Sequence, residues 1–470
     1  MTRVLSVASE CVPFVKTGGL ADVAGALPGA LASAAVEMRS LLPFYPAVRE
    51  ATGEVPSVFQ IEDLFGGAAA IRRGQMGAAA IYFLDAPHLF DRAGNIYLGP
   101  DGKDWPDNPV RFAALSRAAA LIALHGIEGW RPQALHLHDW QAGLTPVYLR
   151  EFRLAERIKT LITIHNIAFQ GLAPAHLLSA LDLPAQGFTR DGFEYWGQIS
   201  ALKAGIVYAD KISTVSPTYA EELMTPQFGM GLEGVLRDRA GDLSGILNGI
   251  DLEVWAPDYK TRRGKEKHTK ALRAEFGLPE GDGPLCVVIS RLTGQKGLDL
   301  LIEALPALLE NGGQLALLGS GDAAMEAQFR ALAERHPAVA VHIGYDEALS
   351  HRMIAGGEAI LVPSRFEPCG LTQLYGLHYG TLPLVSLTGG LADTVIPATA
   401  ATLAAGVATG IQFNPVDTQS LVNAIHRLCR LYRQPDIWDK MLRNAMAHPV
   451  GWDSSARAYA DLFQTITGPV

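Results

Sequence analysis

Cysteine is scarce in this sequence, and its few copies stand far apart. The 470 residues include 4 cysteines, none in a Cys-x-x-Cys pair and none spaced with histidines in a way that suits zinc. A disulfide framework or a structural zinc site needs such clustering. The sequence therefore indicates reduced thiols and a cytoplasmic protein.

Long apolar runs and leader segments are also absent. No apolar run reaches the roughly 20 residues that a membrane-spanning helix needs. A strand pattern begins at Val4, close to the first methionine, and this leaves no room for a signal peptide. We therefore expect neither a membrane protein nor a secreted one.

Positive charge is the third shortage. Lys and Arg number 39 against 48 Asp and Glu, and the formal net charge of −9 argues against broad nucleic-acid binding. The chain also lacks an Asp-x-Asp motif of the kind that holds a divalent ion on a nucleotide sugar, so no metal is expected. Any phosphate-bearing ligand must then be bound by a local cluster of cations.

The residues that are present fit a large α/β enzyme. A chain of 470 residues, 49% hydrophobic and 19% charged, exceeds what one hydrophobic core usually supports. Short apolar runs alternate with amphipathic helical patterns, which predicts parallel doubly wound sheets with ligands beyond the carboxyl ends of the strands. The predicted strands are 4–9, 135–138, 160–165, 211–215, 285–290, 314–318, 338–343 and 359–362, and the predicted helices include 20–35, 298–309 and 323–334.

The boundary between the two halves is predicted near Asn248. This gives an N-terminal domain at 1–247, a nucleotide-sugar-binding domain at 248–450, and a C-terminal helix at 451–470 that crosses back to the first domain. The basic stretch 259–267 is interpreted as a solvated loop and helix start, with polyanion binding as the alternative.

One hexapeptide occurs twice. Thr17–Asp22 returns letter for letter as Thr388–Asp393, in each case where a strand pattern passes into a helix pattern. Two glycines before a helix allow a tight turn and direct N–H groups and the positive helix end at an anion. The repetition, with Lys16 beside the first copy, suggests two similar halves facing one phosphate-bearing sugar donor; an ordinary helix-entry turn is the alternative for each copy.

Two loops of the second half carry groups suited to such a donor. Arg291 and Lys296 lie between a strand and a helix, where they would neutralise a diphosphate leaving group, unless they are two surface cations. Glu367 also follows a strand and precedes a helix, whose first amides at 370–372 would hold a phosphate while the carboxylate reaches sugar hydroxyls. Helix capping is the alternative role for Glu367.

Two strands of the first half also end in polar residues. His136 and His138 share one face of a strand, but no third metal ligand is apparent, so a metal site is rejected. Burial in the core is the alternative for His136, while His138 and Asp139 lie nearer the strand end and are site candidates. Asn166 follows the next strand, where it would bond a sugar or simply stabilise a turn.

Several segments together resemble the bacterial glycogen synthases and the plant starch synthases. The similarity runs from about residue 3 to about residue 465, with the motifs in the order of that family. The segments that carry it are Lys16–Val23, Asp104–Asn108, His136–Trp140, His165–Gly171, Asn248–Asp251 and Glu367–Gln373.

The resemblance implies an architecture and an activity. The architecture is the glycosyltransferase-B type, with two Rossmann-like α/β domains facing a deep cleft. The activity is metal-independent transfer of glucose from ADP-glucose to the non-reducing end of an α-1,4-glucan, with retained anomeric configuration and without a cofactor. The implied partners are ADP-glucose and glycogen or a maltooligosaccharide, with no nucleic acid and no membrane.

Carried over position by position, the resemblance also assigns roles. His138 would lie over the sugar ring, Arg291 and Lys296 would neutralise the departing ADP, and Glu367 would hold glucose hydroxyls. Tyr345 would stack on adenine, with a buried packing role as the alternative. The remaining donor-site residues would be Lys16, Gly18, Gly19, Asp22, Asn166, Asn248, Cys369, Gly370, Leu371 and Thr372.

Two features of this sequence depart from related families, and other functions are alternatives to the assignment. Relatives with a Glu-x7-Glu motif have a second carboxylate where this chain has Tyr375, and Gly294 replaces a residue that is often bulky, which predicts a more flexible cation loop. No residue is a convincing nucleophile, so same-face attack is favoured over double displacement. A sugar-nucleotide epimerase and a non-catalytic glucan-binding protein of the same fold are the alternatives; a phosphorylase would need a lysine that carries pyridoxal phosphate.

Overall fold

The computed structural model describes residues 1–468, and the chain forms two compact units. Unit 1 comprises residues 1–248 and the residues from Trp452 on, and unit 2 comprises Gly249–Gly451. Each unit is described by itself. No helix in the described part of the chain is both long and apolar enough to span a bilayer. All four cysteines are buried, and none of them forms a disulfide within the described residues.

Unit 1 is built on a large, mostly parallel sheet. Its strands are β1 (Thr2–Val7), β2 (Val36–Pro43), β3 (Ser57–Ile61), β4 (Ala69–Met76), β5 (Ala79–Asp85), β6 (Ala134–His138), β7 (Lys159–Ile164), β8 (Leu172–Pro174), β9 (Glu194–Tyr195), β10 (Gln198–Ser200), β11 (Lys211–Thr214) and β12 (Leu243–Gly245). The nine-stranded sheet has the order β12-β11-β7-β6-β1-β2-β5-β4-β3, antiparallel only at β4 and β3. The strands β8, β10 and β9 form a separate antiparallel sheet.

Helices join these strands and cover the sheet. They are α1 (Gly19–Ala32), α2 (Pro46–Thr52), α3 (Pro87–Phe90), α4 (Asn108–His125), α5 (Thr145–Glu151), α6 (Ala201–Tyr208), α7 (Pro217–Leu223) and α8 (Glu233–Asp238). Strands β1 and β6 are buried almost throughout, as expected for a parallel sheet covered on both faces. The helix predicted to reach Ala35 ends earlier, because Ala35 has a φ of 58° and β2 begins at the next residue.

Unit 2 has the strand order of a dinucleotide-binding fold. Its strands are β13 (Leu285–Ile289), β14 (Gln314–Gly319), β15 (Val339–Ile343), β16 (Ala359–Val362), β17 (Leu382–Ser386) and β18 (Ile411–Phe413). They form one parallel sheet in the order β15-β14-β13-β16-β17-β18, which is 3-2-1-4-5-6 in chain order. The predicted doubly wound fold is confirmed, and its topological switch point lies between β13 and β16.

The helices of unit 2 flank this sheet. They are α9 (Arg262–Glu275), α10 (Leu298–Glu310), α11 (Ala323–Arg335), α12 (Glu347–Gly356), α13 (Thr372–Tyr379), α14 (Gly389–Thr394), α15 (Ala400–Ala405), α16 (Thr418–Tyr432) and α17 (Pro435–Ala447). Apolar residues on α10 and α16 pack with those of β13 and β14 in the main core of the unit. Because the strands are parallel, the loops that lead from each strand into the following helix lie at the carboxyl edge of the sheet.

The last helix, α18 (Asp453–Thr467), belongs to unit 1. Its side chains Tyr459 and Phe463 are fully buried in a cluster with Val4 of β1 and Leu27 of α1. Ser455 Oγ also donates a hydrogen bond of 2.5 Å to a backbone carbonyl near the end of the first segment. An amphipathic helix of this kind contributes to stability chiefly through its apolar face.

The basic stretch at 259–267 is not simply a solvated segment. Lys265, on α9, is fully buried, and its Nζ donates hydrogen bonds to the carbonyl of Ala355 at 2.8 Å, to that of Ile354 at 3.2 Å and to Thr381 Oγ1 at 2.7 Å. Burial lowers the pKa of this amine to about 7. The prediction of solvent exposure is wrong for Lys265, which ties α9 to the end of α12.

The repeated hexapeptide does not occupy equivalent positions in the two units. Its first copy leads into α1 after β1, the first parallel strand of unit 1, whereas the second leads into α14 after β17, the fifth strand of unit 2. The two sheets share the arrangement 3-2-1-4-5-6 among their parallel strands. The similarity of the two units therefore lies in their topology, and the repeated letters do not mark it.

Candidate functional site

A hydrogen-bonded chain of three side chains joins the ends of β1, β6 and β7 in unit 1. Ser6 Oγ lies 3.0 Å from Nε2 of His138, and Nδ1 of His138 lies 2.9 Å from Nε2 of His165. Burial holds the pKa of His138 well below its usual value and lowers that of His165 to about 3. Both rings are therefore neutral at pH 7, each with one donor and one acceptor nitrogen.

His138 is enclosed within unit 1. Its side chain is 0% exposed and both its ring nitrogens have protein partners, and its predicted contact with a sugar ring stays a prediction. His165 follows β7 and is partly exposed, which makes it the better candidate for ligand contact. Sequence reasoning missed it, although it precedes Asn166 in the same motif.

His136 is a core residue, as the alternative for it stated. Its Nε2 lies 2.7 Å from Thr163 Oγ1, and its Nδ1 has no partner within the part of the chain that the structure describes. No group of three or more His, Cys, Asp or Glu side chains in residues 1–468 is placed to hold a metal ion. The histidines of β6 thus belong to a hydrogen-bonded core.

Asp139 and Asn166 stabilise the loop after β7. Asp139 Oδ1 accepts hydrogen bonds from the backbone N–H of His165 at 2.7 Å and of Asn166 at 3.4 Å, and burial raises the pKa of this carboxyl to about 7. Asn166 Oδ1 accepts from the N–H of Ala168 at 3.1 Å, which is the turn role given as the alternative for it.

The first glycine turn binds an anion that belongs to the protein. Glu10 is buried, and its Oε2 accepts hydrogen bonds from the N–H of Thr17 at 2.5 Å, from the Thr17 hydroxyl at 2.9 Å and from the N–H of Gly18 at 3.1 Å. Its Oε1 lies 3.3 Å from the hydroxyl of Tyr97. Gly18 was predicted to contact the donor, but its amide and that of Thr17 are bound by a carboxylate that sequence reasoning missed.

The charged residues beside this turn are paired with each other. Lys16 Nζ lies 2.8 Å from Asp22 Oδ1, on α1, and both side chains are partly exposed. Gly19 is exposed as the first residue of α1. Lys16, Gly19 and Asp22 thus remain accessible on the surface of unit 1, whereas the predicted contacts of Lys16 and Asp22 with the donor would compete with their ion pair.

A buried ion pair lies at the switch point of unit 2. Lys296 Nζ is 2.6 Å from Glu367 Oε2, and the two side chains are 18% and 9% exposed. The hydroxyl of Ser364 donates to the same oxygen at 2.9 Å. Helix α13 has no side-chain cap, so the capping alternative for Glu367 is excluded. The sequence placed both residues correctly at the carboxyl ends of β13 and β16.

Backbone contacts join the two loops that carry this pair. The N–H of Arg365 donates to the carbonyl of Gln295 at 2.8 Å, and Gln295 Nε2 donates to the carbonyl of Phe366 at 3.2 Å. Gly294 has no other atom within 4 Å of an added Cβ, but its carbonyl accepts from Arg365 at 2.7 Å. These bonds brace the cation loop whose flexibility Gly294 was expected to increase.

Arg291 lies at the surface of unit 2. Its residue is exposed, and its guanidinium has no hydrogen-bond or ion-pair partner among residues 1–468. It therefore matches the surface-cation alternative in position, while Lys296 does not. An exposed guanidinium at a strand end is available to a phosphate from solvent.

The second glycine turn packs against the loop of Glu367. A Cβ at Gly389 would lie 2.0 Å from the carbonyl oxygen of Glu367, and one at Gly390 would lie 2.3 Å from that of Cys369. The N–H of Gly390 donates to the carbonyls of Glu367 and Pro368, both at 3.1 Å. This amide therefore supports the loop of Glu367 and does not point at an external anion.

The segment between Glu367 and α13 is also held from within. Cys369 is buried, and its carbonyl accepts a hydrogen bond of 2.9 Å from Gln373 Nε2. Gly370 has a φ of 73°, which leads the chain into α13. Leu371 and Thr372 are partly exposed at the start of that helix, where the sequence predicted phosphate-binding amides.

The two remaining predicted site residues, Tyr345 and Asn248, and the departure at Tyr375 have distinct environments. Tyr345 follows β15, is 76% exposed and donates to Glu347 at 2.8 Å, so the buried packing role is excluded. Tyr375 is instead buried, with its ring 3.7 Å from that of Trp255. Asn248 ends the first segment of unit 1, buried, and its Oδ1 has no partner in the described residues. Stacking of Tyr345 on adenine stays a prediction.

Comparison with known proteins places this geometry in a family context. Residues 3–238 match the family model of the starch synthase catalytic domain, and residues 270–444 match that of glycosyl transferases group 1. The chain is 73% identical over 466 residues to a glycogen synthase of Paracoccus denitrificans, covering 99% of this chain and 100% of the relative. It is 57% identical over 471 residues to a glycogen synthase of Jannaschia, covering 99% of each.

Two solved structures are similar to this one. The structure is similar to the catalytic domain of starch synthase IV from Arabidopsis thaliana bound to ADP and acarbose, with a TM-score of 0.88, 30% identity and 100% of both chains covered. A sucrose-phosphate synthase from Thermosynechococcus elongatus has a TM-score of 0.62 at 19% identity and covers 99% of each chain, which shows a shared fold alone.

Proposed function

The chain belongs to the starch and glycogen synthase family of hexosyltransferases, and from this premise we propose that it transfers glucose from ADP-glucose to the non-reducing end of an α-1,4-glucan. The anomeric configuration is retained, and neither a metal nor a cofactor takes part. The relative of known structure is bound to ADP and acarbose, which supports a nucleotide and a glucan as ligands. The proposed compartment is the cytoplasm, in keeping with four cysteines that form no disulfide in the described part of the chain.

The buried Lys296–Glu367 pair carries the proposal. An ammonium and a carboxylate placed together at the switch point of a doubly wound sheet match the two ends of a nucleotide sugar, a diphosphate and a ring of hydroxyls. On donor binding, Lys296 and the exposed Arg291 would stabilise the negative charge that develops on the leaving diphosphate. Glu367 would accept hydrogen bonds from the glucose hydroxyls.

Retention is proposed to come from attack on the same face as the departing phosphate. The acceptor hydroxyl would give its proton to that phosphate as the glycosidic bond to ADP breaks. The buried carboxylates of Glu10 and Asp139 are both bound to backbone amides, which argues against either as a nucleophile. A trapped covalent glucosyl-enzyme would overturn this mechanism.

The proposed function is tested by following labelled glucose from ADP-glucose and from UDP-glucose into glycogen with a chelator present. Digestion of the product by an α-1,4-specific glucosidase checks the linkage. Incorporation from ADP-glucose supports donor, acceptor and metal independence together. Interconversion of the donor without release of ADP would favour the epimerase, and glycogen binding without turnover would favour the glucan-binding protein.

In unit 1 we propose that His165 contacts the donor sugar and that His138 holds its ring in position. Replacing His138 by Leu leaves the hydroxyl of Ser6 and Nε2 of His165 without their buried partner. We expect kcat to fall by about 10-fold or more while the KM for ADP-glucose changes less, because a small displacement of a positioned group affects chemistry most. Steady-state kinetics measure both constants.

The matched control is His136→Leu, which removes an equally buried imidazole from the same strand without a hydrogen bond to His165. A folded His136→Leu protein with near-normal kcat supports the positioning role. Equal losses of kcat in the two variants, in proportion to their melting temperatures, would mean that His138 serves stability alone.

A further inference from the structure

The small sheet of unit 1 presents an aromatic ring to solvent. Strands β9 and β10 are joined by the two-residue turn Trp196-Gly197, and Trp196 is 84% exposed, more than any other large hydrophobic side chain among the described residues. An isolated exposed leucine needs no explanation, but a tryptophan that buries so little of its ring gains little from folding.

The backbone at this turn is also unusual. Trp196 has a φ of 49° and Gly197 a φ of 79°, the pattern of a hairpin turn in which Asn-Gly is the favoured pair. A positive φ is disfavoured for a bulky side chain, and such outliers concentrate where function requires them. Neither local backbone preference nor core packing accounts for a tryptophan here.

Hydrogen bonds hold the backbone of the turn and of its neighbouring strand. Glu194 Oε1 accepts a hydrogen bond of 2.6 Å from the N–H of Gly197. The hydroxyl of Tyr195 donates to the carbonyl of Met230 at 2.7 Å, and Gln170 Nε2 donates to the same carbonyl at 3.0 Å. A ligand would meet a hairpin whose backbone is already ordered, which lowers the entropic cost of binding.

The sheet is anchored to the segment that carries His165. Strand β8 begins directly after the motif His165–Gly171, and the carbonyl of Gln170 accepts from the N–H of Leu202 at 3.1 Å and from the hydroxyl of Ser200 at 3.3 Å. The hairpin is therefore fixed to the loop proposed to contact the donor sugar.

We propose that Trp196 is a platform for the α-glucan acceptor, on which a pyranose ring stacks its C–H face. Glu194 in β9 and Gln198 in β10 stand close to the turn along the chain and would offer their polar groups to sugar hydroxyls. Leu172 of β8 and Met230, whose carbonyl Tyr195 bonds, are further apolar side chains, each 40% exposed. Flat apolar faces edged by a few hydrogen-bonding groups suit a neutral sugar chain. This inference rests on the proposed function, which makes a glucan the acceptor.

Other occupants fit the hairpin less well. The charged residues beside it include Arg190, Asp191, Glu194 and Lys203, whose Nζ already donates to the carbonyls of Arg190 and Glu194, both at 2.6 Å. Two cations offset by two carboxylates make no basic cluster for a polyanion or an anionic membrane surface. The ring stands alone at a turn, whereas a stable protein interface needs a wide, well-packed patch. A neutral polymer of modest affinity per unit is the better match.

The test uses Trp196→Asn in the full chain, because asparagine tolerates a positive φ and keeps the turn while removing the ring. In native gels that contain glycogen, we expect the dissociation constant for glycogen to rise about fivefold, which corresponds to ~1 kcal/mol. Trp196→Phe should restore part of the affinity. The KM for ADP-glucose and the melting temperature should stay close to those of the wild type.

Val407→Ala serves as the control, because Val407 is another exposed apolar residue, in unit 2. An affinity of Trp196→Asn for glycogen within twofold of the wild type would overturn the platform, and so would an effect confined to self-association in sedimentation. A wild type that transfers glucose while the variant binds glycogen normally refutes only this inference. A wild type that neither transfers glucose nor binds glycogen refutes the proposed function as well.

Discussion

Replacing Lys296 by Ala is expected to lower kcat/KM for ADP-glucose by about 100-fold or more. The variant removes the cation proposed to stabilise the charge that develops on the leaving diphosphate, and the loss of one such electrostatic contact typically costs ~3 kcal/mol or more. It also leaves the buried Glu367 with Ser364 as its side-chain partner. We expect the proposed hydrogen bonds of Glu367 to the sugar hydroxyls to weaken as a result. Initial rates of glucose incorporation at several donor concentrations measure the loss.

The control for this variant is another cation of unit 2, outside the loops that carry Lys296 and Glu367. Arg352 forms a salt bridge with Glu275 at 2.7 Å, but the two side chains are 50% and 38% exposed. Exposed pairs contribute little, so Arg352→Ala should change the rate by less than about threefold. If Lys296→Ala retains the wild-type rate, or if both variants lose activity alike, the assignment of Lys296 to the diphosphate fails.

Replacing Gly389 by Ala is expected to lower the free energy of unfolding of unit 2 by about 3 kcal/mol, because overpacking and a forced positive φ both oppose the native backbone. Gly389 has a φ of 44°, and its added Cβ would lie 2.0 Å from the carbonyl oxygen of Glu367. The backbone of Glu367 must move to admit the methyl group. Thermal melting followed by circular dichroism should show a drop of roughly 10 °C.

The repeated hexapeptide supplies the matched control. Gly18 occupies the same place in the first copy, but its φ is −156° and the nearest atom to an added Cβ is Glu10 Oε1 at 4.0 Å. Gly18→Ala should therefore melt within about 2 °C of the wild type, since the extended backbone suits any residue. Equal destabilisation by the two substitutions would contradict the packing of the second turn against Glu367.

The fold was largely predictable from the pattern of apolar runs. Strands such as β13 and β16 are short and apolar and are followed by Ser290 and by Pro363, and their limits depend on local periodicity and turn chemistry. Local rules also predicted that Lys296 and Glu367 would follow strands. They did not predict that Lys265, in a strongly basic stretch, would be buried, because its acceptors lie about 90 residues away in sequence.

The side chains that face a ligand could not be predicted in the same way. His138 stands at a strand end, as a site residue should, yet Ser6 is 132 positions away in sequence and bonds its ring. The first glycine turn was predicted to contact a phosphate, yet the amides of Thr17 and Gly18 in it already donate to Glu10. Each outcome depends on a partner from another segment, which no local pattern records.

The sequence by itself determined the two doubly wound sheets, the family, and the strand ends at which polar residues gather, because these follow from periodicity, turn residues and motif order. Tertiary structure alone decided which of those residues are bound internally and which stay accessible. The physical reason is that a buried polar group must have a partner, and packing of distant segments determines whether that partner is the protein or a ligand. In this chain, packing pairs Lys296 with Glu367 and places the carboxylate of Glu10 on the amides of the first glycine turn, whereas Tyr345 and Trp196 stay exposed at the surface.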